Sequence, residues 1–244
     1  MAASPGHPPA LPLAGQTVVV LGGSAGIGLE TARQARAEGA DLVLVGRDPD
    51  RLTRAATDVG AAATAAFDAT DPVALRDFFD GRDPVDHVMV TAGGNYYARL
   101  ADLDLDLARR LVDEHLWLPL HLARAVTGRA RSLLFMGGTG GRRPGPGQVV
   151  SGPMTAALPA LVANLAIELA PTRVNLIAAG FVDTELSARL LGPDLDRRRE
   201  HLRATLPIGR VVGPSDVAAL AVHLMTNTAL TGATYDVDGG QQLT

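Results

Sequence analysis

A chain of 244 residues with 47% hydrophobic content is long enough to build one α/β domain around a large core. Its net charge of -4, with no basic stripe, argues against a nucleic-acid partner, and no apolar run approaches the roughly 20 residues of a membrane span. Cysteine is absent and all 22 basic residues are arginine, which excludes disulfides, thiolate chemistry, Schiff bases and any lysine-tuned acid.

In chain order, Met1–Ala14 is rich in Pro, Ala and Gly, with no basic start and no apolar h-region. It reads as a flexible tail rather than a signal peptide, so the chain is expected to be soluble and cytoplasmic. Residues 15–244 then read as one domain. Thr17–Leu21 is a β-branched, aliphatic strand, followed at once by Gly22, Gly26 and Gly28 and by a helical pattern through Ile27, Leu29, Ala32 and Ala35. Strand, glycine turn and helix N-terminus together form an anion site: free N–H groups and the positive dipole end face whatever sits there. The spacing is G-x-x-x-G-x-G, unlike the common G-x-G-x-x-G fingerprint. An ordinary glycine-rich turn is the plainer reading of that stretch alone.

Strand and helix then alternate. Strands are expected at 41–45, 62–67, 85–91, 132–136, 173–178 and 233–237. Helices are expected at 51–59, 73–79 with Asp71 as N-cap, 105–127 with Pro119 kinking or splitting it, 155–169, 184–206 and 215–225. The 155–169 segment is almost wholly apolar and should be buried, in part against another subunit. The polar 184–206 segment could close over a site. This order describes a doubly wound, Rossmann-like parallel sheet of about seven strands with helices on both faces.

Five stretches carry a resemblance: LGGSAGIG at 21–28, FDATD at 67–71, VTAGG at 90–94, RVNLIAAGFVDT at 173–184 and DVDGG at 236–240. In this order and spacing the chain resembles the short-chain dehydrogenase/reductase family over about 13–243. The resemblance implies a doubly wound sheet, an NAD or NADP ligand, a small-molecule substrate and a homodimer or homotetramer built on two long helices. It implies that Gly22, Ser24, Gly26, Ile27 and Gly28 form the pyrophosphate loop. Asp68 would hold the adenine amino group, Ala92 and Gly93 would line the adenosine ribose, Val182 and Thr184 would grip the nicotinamide carboxamide, and Ala69 and Gly180 would also belong to the cofactor site. At the end of the second strand an acid would bind the ribose 2′-hydroxyl and repel a 2′-phosphate. The chain has Gly46 and Arg47 there, which favours NADP(H) over NAD(H); a solvated Arg47 with Asp48 as the reader is the other possibility.

The family's reaction residues do not carry over. The resemblance puts Ser151 where the family has its proton-donating Tyr, Thr155 at the Lys, Gly138 at the Ser and His115 at the Asn. A serine hydroxyl is a far weaker acid than a phenol, and no cation stands beside it. Ser151 can hydrogen-bond a carbonyl but is not suited to protonate an alkoxide at neutral pH. Substitutes are Tyr96 and Tyr97, as phenols aimed at substrate or as aromatics of an apolar pocket, and His115, as a proton relay or a hydrogen-bonded helix histidine. Arg142 and Arg143 could clamp a carboxylate, although a solvated pair is the simpler reading. The acids at 102, 104 and 106 read as a helix start, and the six histidines show no metal spacing. Two functions follow. One is an NADP-dependent oxidoreductase acting on a small carbonyl or imine with a non-standard proton donor. The other is a relative that binds NADP(H) without redox turnover.

Overall fold

The structure, a computed structural model, describes residues 11–244. Its seven strands are β1 (Thr17–Leu21), β2 (Asp41–Gly46), β3 (Ala63–Ala66), β4 (Val85–Val90), β5 (Ala130–Gly138), β6 (Arg173–Ala179) and β7 (Thr234–Val237). They form one sheet in the order β3-β2-β1-β4-β5-β6-β7, with every neighbouring pair parallel. The order reverses between β1 and β4, so their carboxyl ends diverge and leave a crevice.

Side chains alternate across the sheet, and so do the two cores. Val19, Leu21, Val88, Val90, Leu133 and Phe135 face one side. There they pack with α3 (Pro72–Asp80), α5 (Leu118–Ala125) and α6 (Ser151–Glu168) through Phe79, Leu122 and Val162. Val18, Val20, Leu42, Leu44, Met89 and Ile177 face the other. They pack with α1 (Gly26–Ala37), α2 (Pro49–Val59) and α9 (Pro214–Thr226) through Ala32, Leu52 and Val217. Because both faces are covered, the central strands read as continuous apolar runs rather than as alternating ones.

The remaining helices are α4 (Leu105–Val112), α7 (Glu185–Leu191) and α8 (Leu195–Thr205). The single helix expected over 105–127 is divided. A π turn at Asp113–Trp117 separates α4 from α5, and the Leu118 N–H donates to the Asp113 carbonyl five residues back. Pro119 has no N–H to offer the His115 carbonyl and crowds it, so the chain widens its register one turn early, around His115. Likewise 184–206 is two helices, broken by the turn at Gly192–Asp194 that holds Gly192 and Pro193.

Helix α6 starts at Ser151, four residues before the expected start. It buries one face only, through Leu158, Val162 and Leu165, while Ile167 is 77% exposed. Of the expected flexible tail, residues 1–10 lie outside the described residues. Leu13 is fully buried and its N–H donates to the Glu38 carbonyl at 2.9 Å, so the chain is already docked there.

Candidate active site

The glycine loop follows β1. The Gly22 and Gly23 N–H groups donate to the Val45 carbonyl at 2.8 and 3.1 Å, which turns the chain sharply off the sheet. Gly22 has φ +92°, and a Cβ there would lie 2.6 Å from the Ala92 nitrogen. A Cβ on Gly28 would lie 2.4 Å from both the Gly22 carbonyl oxygen and Thr91 Oγ1. Both glycines are thus required by the close approach of β1, α1 and the end of β4. Helix α1 starts at Gly26 after Ala25, and no side chain caps it. Its first-turn N–H groups face the crevice as a cradle for an anion.

A cavity of about 1010 Å³ runs from this loop across the carboxyl edge of the sheet to α6 and α7. All the residues assigned from the sequence to cofactor or reaction line it, from Gly22, Ser24, Gly26, Ile27 and Gly28 to Gly180, Val182 and Thr184. At the glycine-loop end, Arg47 lies exposed on the wall, and Arg51, four residues on in α2, pairs with Glu185 of α7 at 2.8 Å. Asp48 is engaged elsewhere. It caps α2, its carboxylate accepting from the Asp50 and Arg51 N–H groups at 3.0 Å, and it does not line the cavity. Asp68 also lines this end. Burial would raise its pKa, but hydrogen bonds from the Thr70 N–H and hydroxyl, together with the charges of Arg47 and Arg110, hold it below the ordinary carboxylate value. Ala69 is buried beside it, and Ala92 and Gly93 form the wall beyond.

The other end gathers the positions that the sequence marked for the reaction. A Cβ on Gly138 would sit 3.3 Å from Thr155 Cγ2, so residues 138 and 155 face each other. Ser151, the first residue of α6, lies one turn from Thr155 and is 8% exposed; its Oγ has no hydrogen-bond partner. Such an unsatisfied hydroxyl costs about 1–3 kcal/mol, a penalty that an acceptor brought by a ligand would relieve. The Thr155 hydroxyl donates back to the Ser151 and Gly152 carbonyls at 3.0 Å, so it is spent within the helix.

His115 sits in the π turn. Its Nδ1–H donates to the Leu111 carbonyl at 3.0 Å, which leaves Nε2 as the acceptor nitrogen of the neutral ring. Its Cε1 stands 3.8 Å from where a Gly93 Cβ would be, so the ring lies against the loop after β4. Tyr96 and Tyr97 come from that same loop. The Tyr96 oxygen accepts from the Asp104 N–H at 2.8 Å, leaving its own proton free. Tyr97 is over half exposed at the cavity wall, and desolvation by the surrounding protein raises its phenol above the ordinary value.

Neither Arg142 nor Arg143 reaches the cavity, and neither is simply solvated. Arg142 grips Asp236 with both guanidinium arms, and Arg143 bonds the C-terminal carbonyl of Thr244, so the pair ties down the chain end. Asp104 caps α4 through the Asp106 and Leu107 N–H groups, consistent with a helix start.

The match to known families decides the identity. The model of the family described as enoyl-(acyl carrier protein) reductase covers residues 22–242. The chain belongs to the short-chain dehydrogenase/reductase superfamily. It is 34% identical to a galactitol 2-dehydrogenase (L-tagatose-forming) of Cereibacter sphaeroides, over 93% of this chain and 95% of that protein. It is 28% identical to a cyclic-di-GMP-binding biofilm dispersal mediator protein of Escherichia coli, over 92% and 96%. Among solved structures, a small-chain dehydrogenase in complex with NADPH is 27% identical with a TM-score of 0.80, over 94% of this chain and 99% of that one.

As a short-chain dehydrogenase/reductase, the chain has functional contacts that sequence reasoning passed over. Glu114 accepts from the Gly94 N–H at 2.7 Å and pins the loop after β4, which its place beside His115 could have signalled. Gln241 accepts from the Phe181 N–H at 2.9 Å and supports the strand end that carries Gly180 and Val182. It follows directly on the DVDGG stretch. Arg51, in the first turn of α2, lines the same wall as Arg47, which precedes that helix. Arg189 and Arg198 also line the cavity, and neither belongs to any motif.

Proposed function

We propose that the protein is an NADP(H)-dependent reductase of a small carbonyl or imine whose proton does not come from the residue at position 151. The observation that carries this reading is the asymmetry of one cavity. At one end stands a glycine cradle with no room for a side chain at Gly22 or Gly28, and at the other Gly138, Ser151 and Thr155 meet with no lysine and no phenol among them. The cradle fits a pyrophosphate, since its uncapped helix N-terminus and positive-φ glycines offer N–H groups to an anion. Arg47 beside Gly46 favours a 2′-phosphate over a free ribose hydroxyl, in keeping with the related dehydrogenase found with NADPH.

NADPH, when bound, would supply a hydride. The chain's own part is to hold the acceptor in place and to handle one proton. Ser151 Oγ, by rotating toward the cavity, would donate a hydrogen bond to the acceptor atom of the substrate. The proton would then come from water, from His115 as the imidazolium through the Nε2 that the helix does not use, or from Tyr96 or Tyr97. Tyr97 is the poorer acid for its raised pKa. An imine eases the demand, because its nitrogen is basic enough to arrive protonated.

We further infer a cytoplasmic homodimer or homotetramer. Leu105, Leu107, Trp117 and Ile167 on α4, the π turn and α6 are 60%, 47%, 49% and 77% exposed, more apolar surface than a lone sheet flank needs. Among the described residues no helix is long and apolar enough to cross a membrane. Light scattering at micromolar concentration tests the assembly; a pure monomer contradicts it.

A second reading rests on Ser151 and Thr155. With the first unpartnered and the second bonded to its own helix, this end holds no assembled proton donor. A protein that binds NADP(H) without turnover would look the same, and the Escherichia coli relative is named for binding a nucleotide rather than for a reaction. Titration with NADPH, then a panel of ketones and imines followed at the nicotinamide absorbance, separates the two. Tight NADPH binding with no turnover on any of them favours the second.

A further inference from the structure

Four arginines line the cavity, and they divide its length. Arg47 and Arg51 stand at the nucleotide end. Arg189 lies on α7 and Arg198 on α8, the two helices that follow β6. The guanidinium of Arg198 sits 5.8 Å from the ring centre of Phe181, two residues past Ala179, whose carbonyl oxygen lies 3.7 Å from where a Gly138 Cβ would be; this puts it toward the end that Gly138 and Thr155 share.

Of the five acids around these two, four are paired and the fifth, Glu200, is exposed on α8. In this segment Asp183 and Asp196 are both held by Arg199, Asp194 by Arg197, and Glu185 by Arg51. The carboxylates that face the cavity are engaged as well. Asp68 accepts from Thr70 and stands 3.5 Å from Arg110, Glu114 accepts from Gly94, and Glu185 is the partner of Arg51. Among the described residues, Arg189 and Arg198 have no carboxylate within 4.0 Å, although five of the eighteen residues from 183 to 200 are acidic. The walls near them are apolar: Met154, Phe181, Leu186 and Leu190. A half-buried guanidinium over an aromatic ring, beside an apolar wall and with no counter-charge, is a site for an oxoanion, because its planar fork matches a carboxylate or phosphate.

We propose that the substrate carries an anionic group, a carboxylate or a phosphate ester, held by Arg198 with Arg189 beside it. This rests on the reading of the cavity as a reductase site. It narrows the substrate class from small carbonyls and imines to oxo-acids, their imines and oxo-phosphates. It also gives the chain a means of orienting substrate that does not depend on the residues at 138, 151 and 155. The anion would be anchored at α8, and the reducible group would reach back toward Ser151.

Calorimetry tests this by binding rather than turnover, with and without saturating NADP⁺. The probes are 2-oxo, 3-oxo and 4-oxo carboxylates of four to eight carbons against their methyl esters, and dihydroxyacetone phosphate against dihydroxyacetone. At least one anion is expected to bind tenfold or more tightly than its neutral counterpart. Arg198→Gln should erase that preference while leaving NADP⁺ affinity within twofold and the melting temperature unchanged. Arg198→Lys should keep part of it, and Arg197→Gln, which alters the exposed pair with Asp194, should keep all of it. The proposal is overturned if no anion is preferred, or if the preference survives Arg189→Gln/Arg198→Gln. It is also overturned if Arg198→Gln weakens NADP⁺ as much as it weakens the anion, which would assign the guanidinium to the cofactor. If the wild-type protein takes up no NADP⁺, the reductase reading fails, and the titration without cofactor still decides whether the anion site exists.

Discussion

The two ends of the cavity solve different physical problems. The nucleotide end is set by backbone: Gly22 and Gly28 are fixed because neighbouring main chain lies within 2.6 Å of where their side chains would begin. The opposite end is set by side chains on α6, the π turn and the loop after β4, and there the Ser151 and Thr155 hydroxyls make no hydrogen bond to one another. A backbone-built site admits almost no substitution without loss of the fold. A side-chain-built site can exchange its chemistry while the scaffold stands. On that difference, a chain can keep its glycine cradle while the side chains at the other end of the cavity change.

The largest effect is expected where the backbone is tightest. Gly28→Ala places a methyl 2.4 Å from the Gly22 carbonyl oxygen, which α1 can relieve only by moving off the loop. NADPH affinity should fall by about a hundredfold or more, about 3 kcal/mol, in calorimetry. Ser151→Ala measured alongside should leave that affinity within a few-fold. Equal losses from both would erase the distinction between the two ends.

A comparable effect in free energy belongs to neither end and must be kept apart from them. His87 lies 3% exposed on β4, between Ser132 and Gln16. The Gln16 amide nitrogen donates to the Pro12 carbonyl, so its oxygen faces His87 and the ring carries its proton on Nε2. Burial, helped by the charges of Arg173 and Arg131 and opposed by Asp86, lowers its pKa from 6.5 to about 4. The unfolded chain then takes up this proton near pH 6.5 and the folded one only near pH 4. Stability is full above pH 6.5 and falls by about 3 kcal/mol as pH drops through that window. Denaturant unfolding between pH 7 and pH 4 should show that slope, and His87→Phe should flatten it. A pH–rate profile is read for His115 only after this loss of fold is subtracted.

A smaller and selective effect is expected at the 2′-phosphate. Arg47→Ala should weaken NADP(H) by about thirtyfold, about 2 kcal/mol, and leave NAD(H) within twofold. Equal affinities for both cofactors, unchanged by the substitution, would remove the assignment.

The sheet and the cradle were legible in the sequence because both are written locally. Apolar runs such as Thr17–Leu21 and Asp41–Val45 mark buried parallel strands, and the glycines that follow mark a turn no side chain can occupy. The break in the 105–127 helix was legible as Pro119, but not its form, since the π turn depends on how His115 and Glu114 meet the loop after β4. Arg142 read as a solvated residue, or else a substrate clamp, because its partner Asp236 is 94 residues away, and Arg198 drew no notice because nothing near it in sequence marks its place over Phe181. Long-range pairing of charge is the information that local patterns do not hold.

The central claim is that the reaction end works without residue 151 as its acid. The direct measurement is kcat with NADPH for Ser151→Ala beside Tyr97→Phe and His115→Ala, on whichever substrate the panel yields. The account predicts less than a tenfold loss for Ser151→Ala, below about 1.4 kcal/mol, and a larger loss for at least one of the other two. A thousandfold loss from Ser151→Ala alone, about 4 kcal/mol of transition-state stabilisation, would contradict it.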